Sequence, residues 1–172
     1  KRPENWTVEE AFQNYIKLKD NVLSETTLRG YETIMRNQIE QIKNISIRKL
    51  SQEDVQCWIN ALSVKLSPKT VKNAYGLFIA VMKMYCPDFS FRITLPAPRE
   101  YDGYVPSDQD IEKLLRYIHG TELEKAVLLA AFGSLRRGEV FGLTKEDING
   151  NSIRIHETRV RGRKGIIKKG PK

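Results

Sequence analysis

Residues 133–143 read GSLRRGEVFGL and carry the most specific pattern in this sequence. Arg136 and Glu139 are three residues apart, so on a helical turn they share a face. A planar guanidinium can bind two phosphate oxygens in a fixed fork, and a neighbouring carboxylate can hold that fork in place. The pair alone is equally typical of an ordinary surface ion pair, because Arg and Glu occur together on many helices.

The residues before this stretch predict two helices. Ser107 is a good N-cap, and the helix that it begins is expected to turn one apolar face inward. That face carries Ile111, Leu114, Leu115 and Ile118. Residues 122–132, ELEKAVLLAAF, are apolar nearly all round, which predicts a fully buried helix.

The residues after it predict short strands. Asn149-Gly150 is a turn signal, and residues 152–156 alternate between apolar and polar side chains as a strand does. Residues 157–172 fit either a further strand with a glycine-rich turn or a disordered tail. The second part of the chain is therefore predicted to be α+β, with a β-hairpin near the C-terminus. It has too few helices and strands to form a complete α/β core.

The first hundred residues predict four helices, each with a clear start signal. Thr7 with Glu10 fits a capping box, and Ser51 opens another helix. A helix is expected to begin near residues 24–26, and Ser67-Pro68 combines a serine cap with proline at the first helical position. Four amphipathic helices with short connections predict a small bundle. The fold class is thus mainly α, followed by the partial α+β part.

A composition change separates the two parts. Residues 94–106, TLPAPREYDGYVP, hold three prolines and a glycine and show no periodicity. We expect a helical domain over residues 1–96, a linker over 97–106, and the incomplete second domain over 107–172.

Charge and cysteine content restrict the class of protein. The net charge is +8, and residues 152–172 contain eight basic side chains and one acid. This bias suggests a polyanionic partner, although a merely solvated basic tail explains it as well. Cys57 and Cys86 are the only cysteines and are predicted to be buried free thiols in a reducing, cytoplasmic setting. No apolar run reaches the length of a membrane span.

Residues 133–143 resemble the first catalytic box of tyrosine recombinases, the phage-integrase family. That box has a glycine-leucine-arginine stretch before an acidic residue and a short helix, and Ser134 stands where the family has its glycine. By position, Arg136 takes the place of the first catalytic arginine. Glu139 takes the place of the supporting acid that orients it. The resemblance implies a phosphate-activating site for transesterification onto a tyrosine.

The resemblance also implies a catalytic lysine in a downstream β-hairpin, the general acid for the departing 5′ hydroxyl. Lys172, in Gly170-Pro171-Lys172, is the candidate, and Lys168 and Lys169 compete with it because the register is open. The later family motifs, including the nucleophilic tyrosine, have no counterpart here. We therefore expect that this fragment alone does not cleave DNA efficiently, so that its own enzymatic status is uncertain while its parent is a DNA strand transferase.

The helical part resembles the SAM-like core-binding domain of the same family, through residues 27–31 (TLRGY) and 67–73 (SPKTVKN). In that family the two domains form a C-shaped clamp around duplex DNA. Helix N-termini, hydroxyls and cations bind phosphate irrespective of family. The residues expected to face DNA are Thr27, Arg29, Lys69, Thr70, Lys72 and Asn73. Tyr31, Trp6 and Trp58 are expected to pack in the core.

The resemblance implies site-specific DNA recombination or integration for a phage or mobile element. It implies binding to double-stranded DNA at an attachment-site core, a full-length tetramer on two DNA sites, and no metal or organic cofactor. The alternative is a non-enzymatic DNA-binding regulator that reuses the helical domain. A third reading, a helical interaction module with a basic tail for RNA or acidic proteins, ranks last because the tail lacks interleaved aromatic residues.

Overall fold

The structure is a computed structural model, and it describes residues 5–98 and 103–170. The chain divides into two compact units, Lys1–Glu100 and Tyr101–Lys172. In the described ranges, no helix has both the length and the apolar character that crossing a membrane requires.

The first unit is a bundle of four helices. They are α1 (Val8–Leu18), α2 (Glu25–Gln38), α3 (Gln52–Lys65) and α4 (Pro68–Tyr85). Each begins at the cap that the sequence predicted, because a serine or threonine oxygen accepts a hydrogen bond from a backbone N–H of the first turn. The capping boxes at Thr7 and Ser51 are complete, with Glu10 and Asp54 bonding back to the cap.

The core of this unit lies between α1, α3 and α4 and the turn that follows α2. Trp58 and Phe78 meet there with ring centroids 5.2 Å apart, and the Trp58 indole N–H donates to the carbonyl of Gln38 at 2.6 Å. Trp58 is 1% exposed, as predicted, while Trp6 and Tyr31 are partly buried against the same core. Ile42 is also buried, but α2 ends at Gln38, so Ile42 lies in a turn rather than on the helix.

An extended segment closes the first unit. Gln56 holds Thr94 at both backbone groups: its Oε1 accepts from the Thr94 N–H at 2.8 Å, and its Nε2 donates to the Thr94 carbonyl at 3.0 Å. One helical turn earlier, Gln52 Oε1 accepts from the Arg92 N–H at 3.1 Å. Leu95 packs on the core. Residues 92–95 are therefore fixed to α3 by hydrogen bonds between their backbone and the Gln52 and Gln56 side chains.

The second unit is smaller. Its helices are α5 (Asp108–Tyr117), α6 (Glu122–Ala131) and α7 (Arg137–Val140). Its strands are β1 (Ile148–Asn149), β2 (Ser152–Ile153), β3 (Thr158–Arg161) and β4 (Ile166–Lys169). Two separate antiparallel hairpins result, β1–β2 and β3–β4. The predicted β-hairpin near the C-terminus is confirmed, and its residues form ordered strands rather than a disordered tail.

Several burial predictions were wrong. α6 contains no fully buried residue: Leu123 is 56% exposed and Phe132, just beyond its end, is 70% exposed. Its apolar surface exceeds what the described residues of this small unit can cover. On α5, Leu114 is 44% exposed, and the buried residue of this predicted face, Ile118, is the C-cap that follows the helix.

Two further predictions need correction. Cys57 is exposed and Cys86 is half-buried, because Cys57 lies beside, not on, the buried stripe of α3 that carries Val55, Trp58 and Ile59. The strand predicted over residues 152–156 is only two residues long, because its partner β1 offers only two residues for pairing.

Candidate active-site arginine and nucleic-acid interface

The turn between α6 and α7 sets the position of Arg136. The Leu135 N–H donates to the carbonyl of Leu129 at 3.2 Å, and Leu135 is buried. Ser134 takes a φ of 55°, a left-handed conformation that costs a non-glycine residue roughly 1–2 kcal/mol. Glycine, which the resembling motif has at this position, adopts this conformation without that cost. Nothing in the structure explains the serine.

Glu139 fixes both the backbone and the side chain of Arg136. Its Oε2 accepts from the Arg136 backbone N–H at 2.8 Å, and its Oε1 accepts from Arg136 Nη1 at 3.1 Å. Arg136 is the N-cap of α7, and the Glu139 N–H donates back to its carbonyl at 2.9 Å. The predicted pairing is therefore present, but it is made across a helix start rather than along a helix face.

The surroundings keep the Glu139 carboxylate charged. The residue is 7% exposed, and the hydrogen bond from the Arg136 backbone N–H, joined by the guanidinium itself, lowers the pKa of Glu139 below its ordinary value. The Arg136 side chain, in contrast, is 77% exposed. Only one of its side-chain N–H groups bonds within the described residues, so the remaining donors are available to an incoming anion.

Two glycines place α7 directly against the backbone that leads into β3. A Cβ on Gly142 would lie 2.3 Å from the carbonyl oxygen of Glu157, and one on Gly138 would lie 3.0 Å from that of Arg159. Backbone atoms cannot move aside as the end of a flexible side chain can. The spacing of the two glycines thus brings the β3–β4 hairpin next to the helix that begins at Arg136. The sequence showed these glycines, but not what they face.

Glu157 joins the two strands of this hairpin. Arg159 and Lys168 are direct cross-strand partners of like charge, an arrangement that repels. Glu157 accepts from Lys168 Nζ at 2.9 Å and from Arg159 Nε at 3.0 Å, and these contacts, led by Lys168, lower its pKa. Lys168 is thereby held in an ion pair. Lys172, the candidate general acid, lies outside the described residues and stays a prediction.

The two histidines pair with carboxylates. His156 Nδ1 lies 2.7 Å from Asp147 Oδ1, and Asp147 is 7% exposed and also accepts from the Thr144 N–H at 2.9 Å. That N–H is the main cause of the lowered pKa of Asp147. The Thr-x-x-Asp spacing of residues 144–147 was the available sequence signal for this cap. His119 Nδ1 lies 2.9 Å from Glu124 Oε1, before the arginine box.

All six predicted DNA-facing residues line one open groove between α2 and α4, here called the α2–α4 groove. It is lined on α2 by Thr26, Thr27, Arg29, Gly30, Tyr31, Thr33, Ile34 and Gln38, and on α4 by Lys69, Thr70, Lys72, Asn73, Gly76, Leu77 and Ala80. No carboxylate is among these lining residues. The polar lining residues are cations, hydroxyls and amides, a set that suits a phosphate-bearing polymer, and they stand beside apolar ones such as Ile34 and Leu77.

The polar residues of the groove differ in how much of their bonding capacity is already used. Thr27 and Thr70 hydrogen-bond with the cap residues Ser24 and Ser67. Lys69, Lys72 and Asn73 are exposed and make no hydrogen bond or ion pair with the described residues. They lie on one face of α4 at i, i+3 and i+4. These three groups can therefore bind a ligand without first breaking a contact within the chain.

The described residues offer no metal site. No group of three or more His, Cys, Asp or Glu side chains in residues 5–98 and 103–170 is arranged to hold an ion. The guanidinium of Arg136 can bind an anion by direct hydrogen bonding.

Comparison with known proteins agrees with this architecture. Residues 7–63 match the family described as phage integrase, N-terminal SAM-like domain. The integrase of transposon Tn1549, solved with transposon right-end DNA, superposes with a TM-score of 0.76 at 21% identity. The match covers 96% of this chain and 57% of that one. The chain has an integrase fold.

A second structure of the Tn1549 integrase, with circular-intermediate DNA, superposes with a TM-score of 0.75 at 21% identity over 96% of this chain. This chain spans 59% of that one. The comparison with curated proteins finds no match. The resemblance to phage integrases read from the sequence is confirmed, and so is the predicted fold class: a helical N-terminal bundle followed by a smaller α+β part with a β-hairpin near the C-terminus.

Proposed function

We propose that this chain is the DNA-clamping part of a tyrosine recombinase that carries out site-specific recombination of a phage or mobile element. The observation that supports it most is the arrangement around Arg136: its exposed guanidinium donates to one oxygen of the buried Glu139 carboxylate, and its backbone N–H donates to the other. The matched structures are integrases solved with transposon DNA, and this chain shares their fold.

The α2–α4 groove is the proposed surface for duplex DNA. Lys69 and Lys72 supply charge, and the caps at Ser24 and Ser67 place the N-termini of both helices along the groove. Free amides at a helix start attract phosphate, so helix ends and cations act together. DNA bound there is proposed to be the attachment-site core.

Arg136 is proposed to bind the scissile phosphate. In transesterification onto a tyrosine, negative charge grows on the non-bridging oxygens, and a permanently charged fork can contact both. Glu139 holds that fork in position before the substrate arrives, so no ordering cost falls on the chemical step. Lys172 is the proposed proton donor to the 5′ oxygen, and a tyrosine of the parent protein, C-terminal to Lys172, is the proposed nucleophile.

The finer assignments extend the same proposal. The parent protein is proposed to act as a tetramer on two DNA sites, in the cytoplasm, without metal, ATP or nicotinamide. A non-enzymatic regulator is less well supported, because DNA binding alone requires neither the exposed Arg136 nor a buried acid dedicated to it. The proposed domain limits remain residues 1–96 and 107–172, joined by 97–106.

Binding measurements test the groove. We expect the chain to bind duplex DNA, with the logarithm of the association constant falling linearly with the logarithm of salt concentration. The double variant Lys69→Ala/Lys72→Ala should bind more weakly and with a slope lower by about 1.8, roughly 0.9 for each phosphate that is no longer neutralised. The matched control is Lys65→Ala/Lys83→Ala, which removes two exposed lysines outside the groove. Equal effects of the two double variants would contradict the groove assignment.

Cleavage measurements on the complete recombinase test the arginine box. Arg136→Ala should lower the rate of covalent protein–DNA complex formation by roughly 10²–10³-fold, the usual effect of losing one donor to a developing oxyanion. DNA binding should persist. Arg137→Ala, an exposed neighbour of the same charge, is the control. If both variants cleave at the wild-type rate, Arg136 does not activate the phosphate.

A further inference from the structure

Asn73 lies in the middle of the α2–α4 groove, on the α4 side, across from Thr26, Gly30 and Ile34 of α2, which also line both halves. It lines both halves of the groove, while Lys69 and Lys72 line only the half that contains Gly76, and Arg29 lines only the other. Its side chain is exposed and makes no hydrogen bond with the described residues. Asn73 is therefore a centrally placed polar group with all of its hydrogen-bonding capacity available.

The chemistry of Asn73 differs from that of its neighbours. Lysine and arginine only donate hydrogen bonds, which suits phosphate oxygens. A carboxamide donates and accepts side by side, and this pair of groups matches N7 and the N6 amino group of adenine in the major groove. A neutral amide between cations can therefore contact phosphate as they do, and it can also pair with an adenine edge, which a lysine cannot do.

Two glycines leave room for such a contact. Gly30 is in the interior of α2 and Gly76 in the interior of α4, and both line the groove beside Asn73. A Cβ on either would meet no atom within 4 Å, so neither glycine is required by packing inside the chain. Glycine is also the least favourable residue of a helix interior after proline. Space in the groove is the remaining role for both.

We propose that Asn73 reads an adenine edge of the bound duplex and is a specificity-determining residue, and that Gly30 and Gly76 admit the base pair to its amide. This rests on the proposed function, because it assumes that duplex DNA occupies the α2–α4 groove. Lys69 and Lys72 then set the affinity on any sequence, and Asn73 sets the preference at one position.

A selection from duplexes with a randomised central segment tests the base contact. The wild-type chain should enrich adenine at one or more positions. Asn73→Ala should lose that preference at one position, by roughly 5- to 150-fold in relative affinity, and keep the rest. Lys72→Ala should keep every preference and bind all sequences more weakly. An Asn73→Ala selection identical to that of the wild type would overturn the proposal.

The glycines give an independent readout. Gly30→Ala and Gly76→Ala should raise the melting temperature, because alanine favours the helix, and yet weaken binding to the selected duplex. Alanine variants that bind as tightly as the wild type would contradict the role of the glycines. If the wild-type chain binds no duplex at all, the proposed function fails. If it binds but Asn73→Ala selects the same sequences, only the base-reading role fails.

Discussion

The most informative single residue is Glu139, since one carboxylate holds both the backbone and the guanidinium of Arg136. The buried Glu139 beside the exposed Arg136 differs from an ordinary surface ion pair. In a surface pair both side chains are solvated, and the pair adds little to the free energy of unfolding. The burial of Glu139 thus differs from the fully solvated surface ion pair that the sequence alone left open, and it supports the proposed phosphate-binding role of Arg136.

Glu139 should make stability depend on pH. The pKa of Glu139 is lowered in the folded chain. The ionised carboxylate therefore adds its full contribution to the free energy of unfolding at pH values above its ordinary pKa of 4.5, and this contribution is lost as the pH falls through the folded-state pKa. Glu139→Gln should lower the melting temperature near neutral pH, and the difference from the wild type should shrink as the pH falls below 4.5 and through the lowered pKa of Glu139. Thermal unfolding over a pH series measures this. Glu112→Gln, which alters an exposed pair with Arg116, is the control and should change little.

Local chemistry explains which secondary structure elements could be predicted. The helix starts at Thr7, Ser24, Ser51, Ser67 and Ser107 follow from bonds within three residues of the cap, so the sequence contains the whole cause. The packing of α7 on the residues that enter β3 depends on contacts fifteen and more residues away in the chain. The prediction for α6 failed for the same reason. Its apolar composition indicated burial, but the sequence could not show which residues would pack on it.

Gly142 should tolerate no side chain. Its missing Cβ leaves room for the Glu157 carbonyl, so Gly142→Ala must push α7 away from the hairpin. We expect a loss of about 1–3 kcal/mol in the stability of the second unit, as for other overpacked sites. Chemical denaturation measures it. Gly170→Ala, where a Cβ would meet nothing, is the matched control and should be neutral. A stable Gly142→Ala chain would mean that the close contact is not required.

The whole chain is unevenly stabilised. The first unit encloses a continuous apolar core, whereas the buried hydrophobic residues of the described second unit are Ile118 and Leu135. The six residues expected to face DNA lie along one groove, where resemblance and helix-start chemistry both pointed, and their contact with DNA stays a prediction. The role of the hairpin lysine was not predictable, because its register depends on strand pairing and Lys172 lies outside the described residues.

This imbalance predicts two thermal transitions, the lower one from the second unit. Met82→Ala, which empties a fully buried position in the first unit, should lower the upper transition by an amount equivalent to about 2–5 kcal/mol. Gly142→Ala should lower the midpoint of the lower transition only, because Gly142 lies in the second unit. Scanning calorimetry on both variants separates them. A single transition that shifts equally with both substitutions would show that the two units unfold as one.

The contact of Gly138 and Gly142 with the backbone of residues 157–159 also has a mechanical consequence. Two main chains in direct contact have no rotamers between them that could absorb a displacement, and close-packed interiors transmit strain. α7 spans only four residues and begins at Arg136. We therefore expect a displacement of the β3–β4 hairpin to pass to α7 and to the backbone of Arg136 at its start, so that a ligand bound to the hairpin also changes the position of the arginine.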